Sequence, residues 1–543
     1  MKPDILVVIP ARGGSVGVPR KNLRALAGKP LISYSIQTAK SSTYNPDVCV
    51  SSDDDEILHL AAQLGAMALR RPKFLADGKT TLDPVIYHAY QQAQLISKKD
   101  YALIVTMQPT SPLMAVSSID DALNIMLKNA EVDTLISAKE TTHLTWRYEE
   151  GRYLPNYAKR LNRQELTPTY TETGGFLITR NSIITENNRI GSNVSLYPLE
   201  KGEAIDIDSF EDFALAEFWS TRKKLLFVVS GNQQIGLSHA RRALLLANQF
   251  TCCDIRFLVT EDSEEALSLI KENKYVADCV SVSDILENIF NFNPDVVINN
   301  IRNTDVCYVR SIQEHGIKVV NMEDEGPGHH FADLSINALS TVPSREKEYN
   351  GISYYCLGDK YLHAQPWKGV KEAVKSILIC FGGKDEDNLT ARVARLIAPW
   401  CMENGIKLHI LPGIGYTEKA RLNEIVGVDV YETADLPKQM LDADLVITSP
   451  GRTAIEVASL SIPAIVLRHG LHDANPDFYT MENGFADLGN AAIMKDEEIL
   501  KAITNVCLEY RSRIFMHHMM ATLNIKPGIR KVTKLINNIL QNI

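Results

Sequence analysis

No two cysteines in the 543-residue chain are spaced as CxxC; the nine are scattered, and only Cys252 and Cys253 adjoin. An odd count without that spacing indicates neither a zinc knuckle nor a disulfide framework, and it fits reduced, mostly buried thiols in a cytosolic protein. Long hydrophobic runs are missing too. No uncharged apolar stretch of about 18 or more residues occurs, so nothing is expected to span a bilayer. The early run Ile5–Ile9 stops at Pro10 and Arg12 and reads as a buried strand rather than a secretory signal. An excess of basic charge is also absent: 57 Lys and Arg against 66 Asp and Glu give a net charge of −9. That excludes a polybasic nucleic-acid binder but not an anionic substrate in a local basic pocket. The content of 45% hydrophobic and 23% charged residues is ordinary for a globular protein and argues against a collagen-like or disordered chain. The length predicts about three to four domains, or two large ones.

What is present is a rhythm of short apolar runs and helical patterns from end to end. Ile5–Ile9, Val48–Ser51, Leu103–Met107 and Thr134–Ser137 are continuous rather than alternating, the pattern of strands buried on both faces. Between them Pro30 opens a helical stripe of Ile32, Ile36 and Ala39, and Ser117 with Asp120 gives a capping-box-like start to another helix. This β-α-β order predicts an α/β fold with mostly parallel sheets covered by helices. The same grammar restarts at Lys223–Gly231 and again at Ile377–Gly383. Strands are expected after these starts at Ile255–Thr260, Val296–Asn299, Lys318–Asn321, Leu408–Leu411, Val428–Tyr431, Leu445–Thr448 and Ala464–Leu467. A boundary is therefore expected near residue 222, giving domains 1–222 and 223–543, the second with lobes at about 223–345 and 376–543. Each start carries a glycine loop after its first strand, which predicts ligands at the loop ends of the strands.

The first loop runs Ala11-Arg12-Gly13-Gly14-Ser15-Val16-Gly17-Val18-Pro19-Arg20-Lys21-Asn22. Glycines let backbone N–H groups approach phosphate oxygens, and Arg12, Arg20 and Lys21 offset a polyphosphate's charge. The lysine falls outside the GxxxxGK[ST] spacing, so this is no P-loop. Alone, the loop fits a surface turn with solvated basic residues equally well. Asp206 and Asp208 flank Ile207 and share a face of an extended segment. Paired hard oxygens suit Mg²⁺, whereas a lone pair of this kind is more often a solvated strand end.

Several motifs follow the loop in order over about residues 4–220: Val50-Ser51-Ser52-Asp53, Arg71-Pro72, Gln108-Pro109-Thr110-Ser111-Pro112-Leu113, Asn162-Arg163-Gln164, Tyr170–Phe176 and Ile205-Asp206-Ile207-Asp208. Together they resemble the CMP-sialic acid synthetase family, cytidylyltransferases that activate nonulosonic acids. The resemblance implies a Rossmann-like nucleotidyltransferase domain. In it the anomeric hydroxyl of a nine-carbon sugar acid attacks the α-phosphorus of CTP and pyrophosphate leaves, a reaction carried by positioning and charge stabilisation. It implies nucleotide binding by Ala11, Arg12, Gly13, Gly14, Lys21 and Asn22, with Arg12 and Lys21 acting on the triphosphate. It further implies Mg²⁺ on Asp206 and Asp208, and sugar-acid contacts from Gln108, Arg163 and Gln164. Plainer readings stand beside these: a turn residue for Gln108 and a surface cation for Arg163. Val16 stands where the family usually has Lys, and Thr173 where it usually has Asn.

The second loop carries a histidine, in Ile235-Gly236-Leu237-Ser238-His239-Ala240-Arg241-Arg242. In isolation His239 fits an N-terminal helix residue satisfied by backbone. With Asp324, Ala332–Asn337, Gly358–Tyr361, Gly382-Gly383-Lys384-Asp385, Ser449–Glu456 and Asn475, the loop resembles the UDP-sugar hydrolases of pseudaminic acid biosynthesis. That resemblance implies a two-lobed, glycosyltransferase-B-like region acting on a UDP-linked diacetamido sugar. His239 would orient or deprotonate the attacking water and Arg242 would support the loop. Gly451 and Thr453 would face the diphosphate at a helix N-terminus, Glu456 would meet the ribose, and Asn475 would contact substrate. Ser238 beside the histidine, Pro450-Gly451-Arg452 in place of a Gly-Gly-Ser-like turn, and Pro476 depart from that family. A non-catalytic nucleotide-sugar-binding region and a glycosyltransferase therefore stand as alternatives. The resemblances together imply a cytoplasmic fusion of two steps of one pathway, free of nucleic-acid and membrane partners. They also imply a homodimer, since the first family commonly dimerises.

Overall fold

The computed structural model describes every residue except 1–3, 16, 78, 233, 234, 302, 341, 343, 345, 383, 384, 386, 414, 417, 432–434 and 470–477. The chain forms two compact units, Met1–Arg222 and Lys223–Ile543.

In the first unit seven strands make one sheet: β1 (Ile5–Pro10), β2 (Asp47–Ser52), β3 (Met67–Arg70), β4 (Leu103–Thr106), β5 (Thr134–Glu140), β6 (Tyr170–Arg180) and β7 (Val194–Pro198). Their spatial order is β7-β5-β6-β4-β1-β2-β3. β6 runs antiparallel to both its neighbours and the other pairs are parallel. The central strand shows why its sequence is apolar throughout. Ile5, Val7 and Ile9 pack with Ile32, Ile36 and Ile119 on one face, while Leu6 and Val8 pack with Ile86 and Ala89 on the other. The expected Ser117–Asp120 helix start is not what forms. That helix spans Val116–Lys128 with Ala115 at its cap, and Asp120 instead accepts hydrogen bonds from Ser42 and Thr43 on a neighbouring loop.

The second unit holds two all-parallel sheets. The first contains β8 (Lys224–Val229), β9 (Asp254–Thr260), β10 (Val276–Val280), β11 (Val296–Asn300), β12 (Lys318–Met322), β13 (Leu334–Asn337) and β14 (Glu348–Asn350), in the order β10-β9-β8-β11-β12-β13-β14. The other contains β15 (Ser376–Cys380), β16 (Lys407–Ile410), β17 (Val428–Val430), β18 (Leu445–Thr448), β19 (Ala464–Arg468) and β20 (Phe485–Asn490), in the order β17-β16-β15-β18-β19-β20. Each is a doubly wound sheet whose order reverses beside its first strand. The reversal falls between β8 and β11 in one, between β15 and β18 in the other, and between β1 and β4 in the first unit. Loops leaving the two strands there turn to opposite faces and leave a crevice between them.

The lobe boundary differs from the expected 376–543. The helix Gly528–Gln541 carries Ile529, Val532, Ile536 and Leu540 into the core of the earlier lobe, against Leu225, Phe227 and Val296. Its apolar stripe shows in sequence that one face is covered, but periodicity carries no information about which core covers it. Among the described residues no helix is long and apolar enough to cross a membrane.

Truncating Ile536, which is fully buried, to Ala should cost about 2–5 kcal/mol. The urea midpoint of the full chain reads this directly. The same change at Ile493, 83% exposed, should stay within about 0.5 kcal/mol.

Candidate functional site

The points of strand reversal collect most of the residues singled out by sequence. In the first unit, the Ala11 N–H continues the β1–β2 pairing by donating to Ser51 O (3.0 Å), and the chain then leaves as the basic loop. Gly13 N donates to Asp53 Oδ1 (3.0 Å), and a Cβ at Gly13 would come within 2.8 Å of Asp54 Oδ2. Asn22 is buried and donates its side-chain amide to the Arg12 carbonyl (2.9 Å), so it shapes the loop from inside. Val16 lies outside the described residues. Arg20 pairs with the exposed Glu56.

The loop meets the two aspartates directly. Lys21 Nζ donates to Ile207 O (2.5 Å) and lies 3.3 Å from Asp208 Oδ1. A Cβ on Gly17 would fall 2.1 Å from the Asp208 carbonyl oxygen, so no larger residue fits against this segment. Ile205 and Ile207 point into the core, which turns Asp206 and Asp208 to the other face. Asp208 is 81% exposed at its side chain, whereas Asp206 Oδ1 is buried and the Thr110 hydroxyl leans on it without a well-formed bond. Burial raises the Asp206 carboxyl above its usual range; the Thr110 hydroxyl opposes this and the neighbouring Asp208 charge adds to it. Thr110 Oγ1, Ser111 Oγ and Asp206 Oδ1 converge on Gly174, at 2.7, 3.1 and 3.2 Å from where a Cβ would stand. A buried carboxylate with an unmet oxygen, beside a second carboxylate, fits a hard divalent cation that would relieve this strain of charge.

Gln108 sits at the end of β4, its N–H donating to Gly174 O (2.9 Å), on the other side of the same reversal. Arg163 and Gln164 lie on an exposed 3₁₀ turn, Arg163–Glu165. Among the described residues neither forms a hydrogen bond or ion pair with the loop or the aspartates. Arg71 was present in the sequence only as part of a motif. In the structure it is buried, donating to Ser51 O (2.7 Å), and burial lowers its pKa; Asp53 opposes that shift and the adjacent Arg12 charge adds to it. Arg12, just past β1, and Arg71, just past β3, thus place two cations near one another.

In the second unit, the loop after β8 leads into the helix Ser238–Ala247, where His239 and Arg242 are both buried. Arg242 Nε donates to Asn300 Oδ1 (2.9 Å) and Nη2 to Met322 O (3.2 Å), and Nη1 forms an ion pair with Glu323. Its Nη2 also lies 3.1 Å from His239 Nδ1. A guanidinium only donates, so Nδ1 accepts and the neutral ring carries its hydrogen on Nε2. Of the two roles expected from sequence, orienting the water or deprotonating it, this tautomer suits the first, since Nε2 is a hydrogen-bond donor.

Glu323 was not singled out by sequence, yet it is the hub. Its backbone is left-handed (φ +52°), and it receives Arg242 from its own lobe and Arg452 Nη2 (3.1 Å) from the other. Arg452 Nη1 also donates to Ser238 O (2.8 Å). Burial alone would raise the Glu323 carboxyl, but the two guanidiniums bring it down to about 2. Asp324 beside it is structural, accepting from Thr304 N (3.0 Å), Gly326 N (2.9 Å) and Asn321 Nδ2 (2.7 Å).

Gly451 (φ +122°) caps the helix Arg452–Ser459, and its N–H donates to Tyr479 Oη (2.7 Å). Thr453 Oγ1 faces Gly382 across the β15–β18 reversal, 3.6 Å from where a Cβ would stand. Glu456 Oε2 accepts from Tyr361 Oη (2.9 Å), and burial raises its carboxyl. Gly383, Lys384 and Asn475 lie outside the described residues.

A family model described as Cytidylyltransferase matches residues 6–227. Pseudaminic acid cytidylyltransferase of Campylobacter jejuni is 30% identical over 226 residues, 39% of this chain and 94% of that protein. A Helicobacter pylori protein named pseudaminic acid cytidylyltransferase and UDP-2,4-diacetamido-2,4,6-trideoxy-beta-L-altropyranose hydrolase is 23% identical over 482 residues, 85% of this chain and 87% of its own length. An uncharacterized Methanocaldococcus jannaschii protein, MJ1062, is 29% identical over 267 residues, 45% of this chain; the match spans only about half (55%) of that relative.

Glu323→Gln should destabilise the chain by about 3–5 kcal/mol near neutral pH, because the buried Arg242 and the partly exposed Arg452 lose their counter-charge. The folded carboxyl lies at about 2 and an unfolded glutamate at about 4.3, so the native contribution is complete above the higher value and lost as pH falls through that window. Urea midpoints of wild type and variant should converge as pH drops toward about 2.

Proposed function

Because the chain belongs to the cytidylyltransferase family through residues 6–227, we propose that its first unit activates a nonulosonic acid with CTP and that its second hydrolyses a UDP-linked diacetamido sugar of the same pathway. The observation that carries the first half is the contact of Lys21 with the Ile207–Asp208 segment, which gathers cationic loop and paired carboxylates at one strand reversal. The anomeric hydroxyl oxygen of the acid bonds to the α-phosphorus and its proton passes to solvent, while the bond from the α-phosphorus to the bridging oxygen breaks and pyrophosphate departs. Arg12, Lys21 and the glycine loop hold the triphosphate, and Gln108 meets the acid across the β1–β4 crevice. Asp206 and Asp208 are the residues that would hold Mg²⁺, which supplies charge neutralisation on the phosphates when bound.

The two-unit span shared with the Helicobacter relative supports the second half. Water's oxygen joins the anomeric carbon, UDP leaves with the bonding pair, and the water's proton passes to solvent. His239 acts through its Nε2 hydrogen on the departing diphosphate, with Arg242 fixing the tautomer. Gly451 and Thr453 at their helix start, with Glu456 near the ribose, complete the nucleotide site. A cytoplasmic location, where CTP and UDP-sugars are made, belongs to this reading, as does a homodimer. The exposed Trp146, Tyr148 and Tyr153 on the hairpin Trp146–Glu149 and Arg152–Pro155 support self-association.

The test is CTP-dependent pyrophosphate release by the full chain across a panel of nonulosonic acids, with UDP release from a UDP-diacetamido sugar followed separately. Lys21→Ala should lower pyrophosphate release by about two orders of magnitude or more and leave UDP release intact. His239→Ala should do the reverse. Near-normal turnover by Lys21→Ala removes that residue from the mechanism. UDP release only with an added acceptor indicates transfer, and saturable sugar-nucleotide binding without turnover indicates a binding region.

A further inference from the structure

A second, unrelated cluster lies in the earlier lobe of the second unit, on the loop that follows β12. One ligating atom from each of His329, His330 and Glu348 lies within 4.8 Å of the others. We propose that these three residues form a binding site for a transition-metal dication of the Zn²⁺ class.

The backbone beneath the histidines is fixed. Gly326 N donates to Asp324 Oδ1 (2.9 Å), and Gly328 N to Thr304 O (2.9 Å). Neither glycine has room for a side chain: a Cβ would lie 2.4 Å from Thr304 O at Gly326 and 2.3 Å from Thr304 Oγ1 at Gly328. These contacts set the 3₁₀ turn Pro327–Phe331, which brings the two imidazoles together, tilted, with centroids 3.8 Å apart. Glu348 opens β14 and is held in register with Ser335 of β13, so the third ligand comes from the sheet.

The hydrogen bonds around the rings are those of ligating histidines. His329 Nδ1 lies 2.6 Å from Gly326 O, and a carbonyl only accepts. Nδ1 therefore carries the hydrogen and the Nε2 lone pair is left to bind. His330 Nδ1 lies 2.7 Å from Glu348 Oε1, which brings imidazole and carboxylate to one point. Two imidazoles and one carboxylate form a borderline donor set that favours Zn²⁺, Co²⁺ or Ni²⁺ over Mg²⁺ or Ca²⁺, and three protein ligands leave a position for water. The His330 side chain is 53% exposed, so the ion has a path in, while Glu348 is mostly covered. A bound ion would tie β14 to the loop that begins with Glu323. The proposal needs neither activity assigned above.

The test is titration of chelator-stripped full-length protein with Co²⁺ and Zn²⁺, with Mg²⁺ as the control. One ion per chain should bind. Co²⁺ should show ligand-field bands of a nitrogen and oxygen site without the thiolate charge-transfer band that the cysteines would give. His330→Ala and Glu348→Gln should each weaken binding by about tenfold or more. Circular dichroism of the metal-free variants should match wild type. The proposal falls if wild type shows no saturable Zn²⁺ or Co²⁺ binding, if the thiolate band dominates, or if both variants bind as wild type does.

Discussion

Lys21 donating into the Ile207 carbonyl joins two parts of the chain 186 residues apart, and the first site depends on that contact. Without it the glycine loop is a basic surface turn, and Asp206 and Asp208 are a solvated segment ahead of a helix. With it, cations and carboxylates stand on the same side of one strand reversal. Gly17 is the steric counterpart, since only a residue without Cβ lets the loop lie against Asp208. The arrangement is incomplete in charge: Asp206 is raised by burial with an oxygen unmet, a condition that a bound dication would relieve.

The second unit shares the strand reversal beside its first strand, but with opposite electrostatics. Its buried carboxylate, Glu323, is saturated by Arg242 and Arg452 and held far below the usual glutamate range. Arg242 thereby has its guanidinium fixed on four sides, which fixes the tautomer of His239 in turn. One ion-pair network therefore links the two lobes and holds the His239 ring through its Nδ1.

The parallel sheets were legible because strands covered on both faces carry continuous apolar runs, as Ile5–Ile9 and Val296–Ile298 do. Three edge strands were not: Met67–Arg70, Val194–Pro198 and Val276–Val280 mix in exposed positions and lack such runs. β6 escaped because Gly174 and Gly175 interrupt it where its register with β5 breaks. Among site residues, the glycine loop, the paired aspartates and the His239–Arg242 spacing were legible because each is local in sequence. Glu323 and Arg71 were not, because they matter through partners that only folding brings near: Arg452, 129 residues on, for the one and Ser51 and Arg12 for the other. Arg452 showed in sequence merely as a departure from a turn.

The central claim is that the loop and the aspartate segment form one CTP site by lying in contact. Isothermal titration of CTP in the presence of Mg²⁺, on wild type and on Gly17→Ala, tests it most directly. The account predicts saturable, Mg²⁺-dependent binding by wild type and affinity weakened by about tenfold or more in the variant, with its thermal midpoint little changed. Equal affinity in the two proteins, or no CTP binding by wild type, would contradict it.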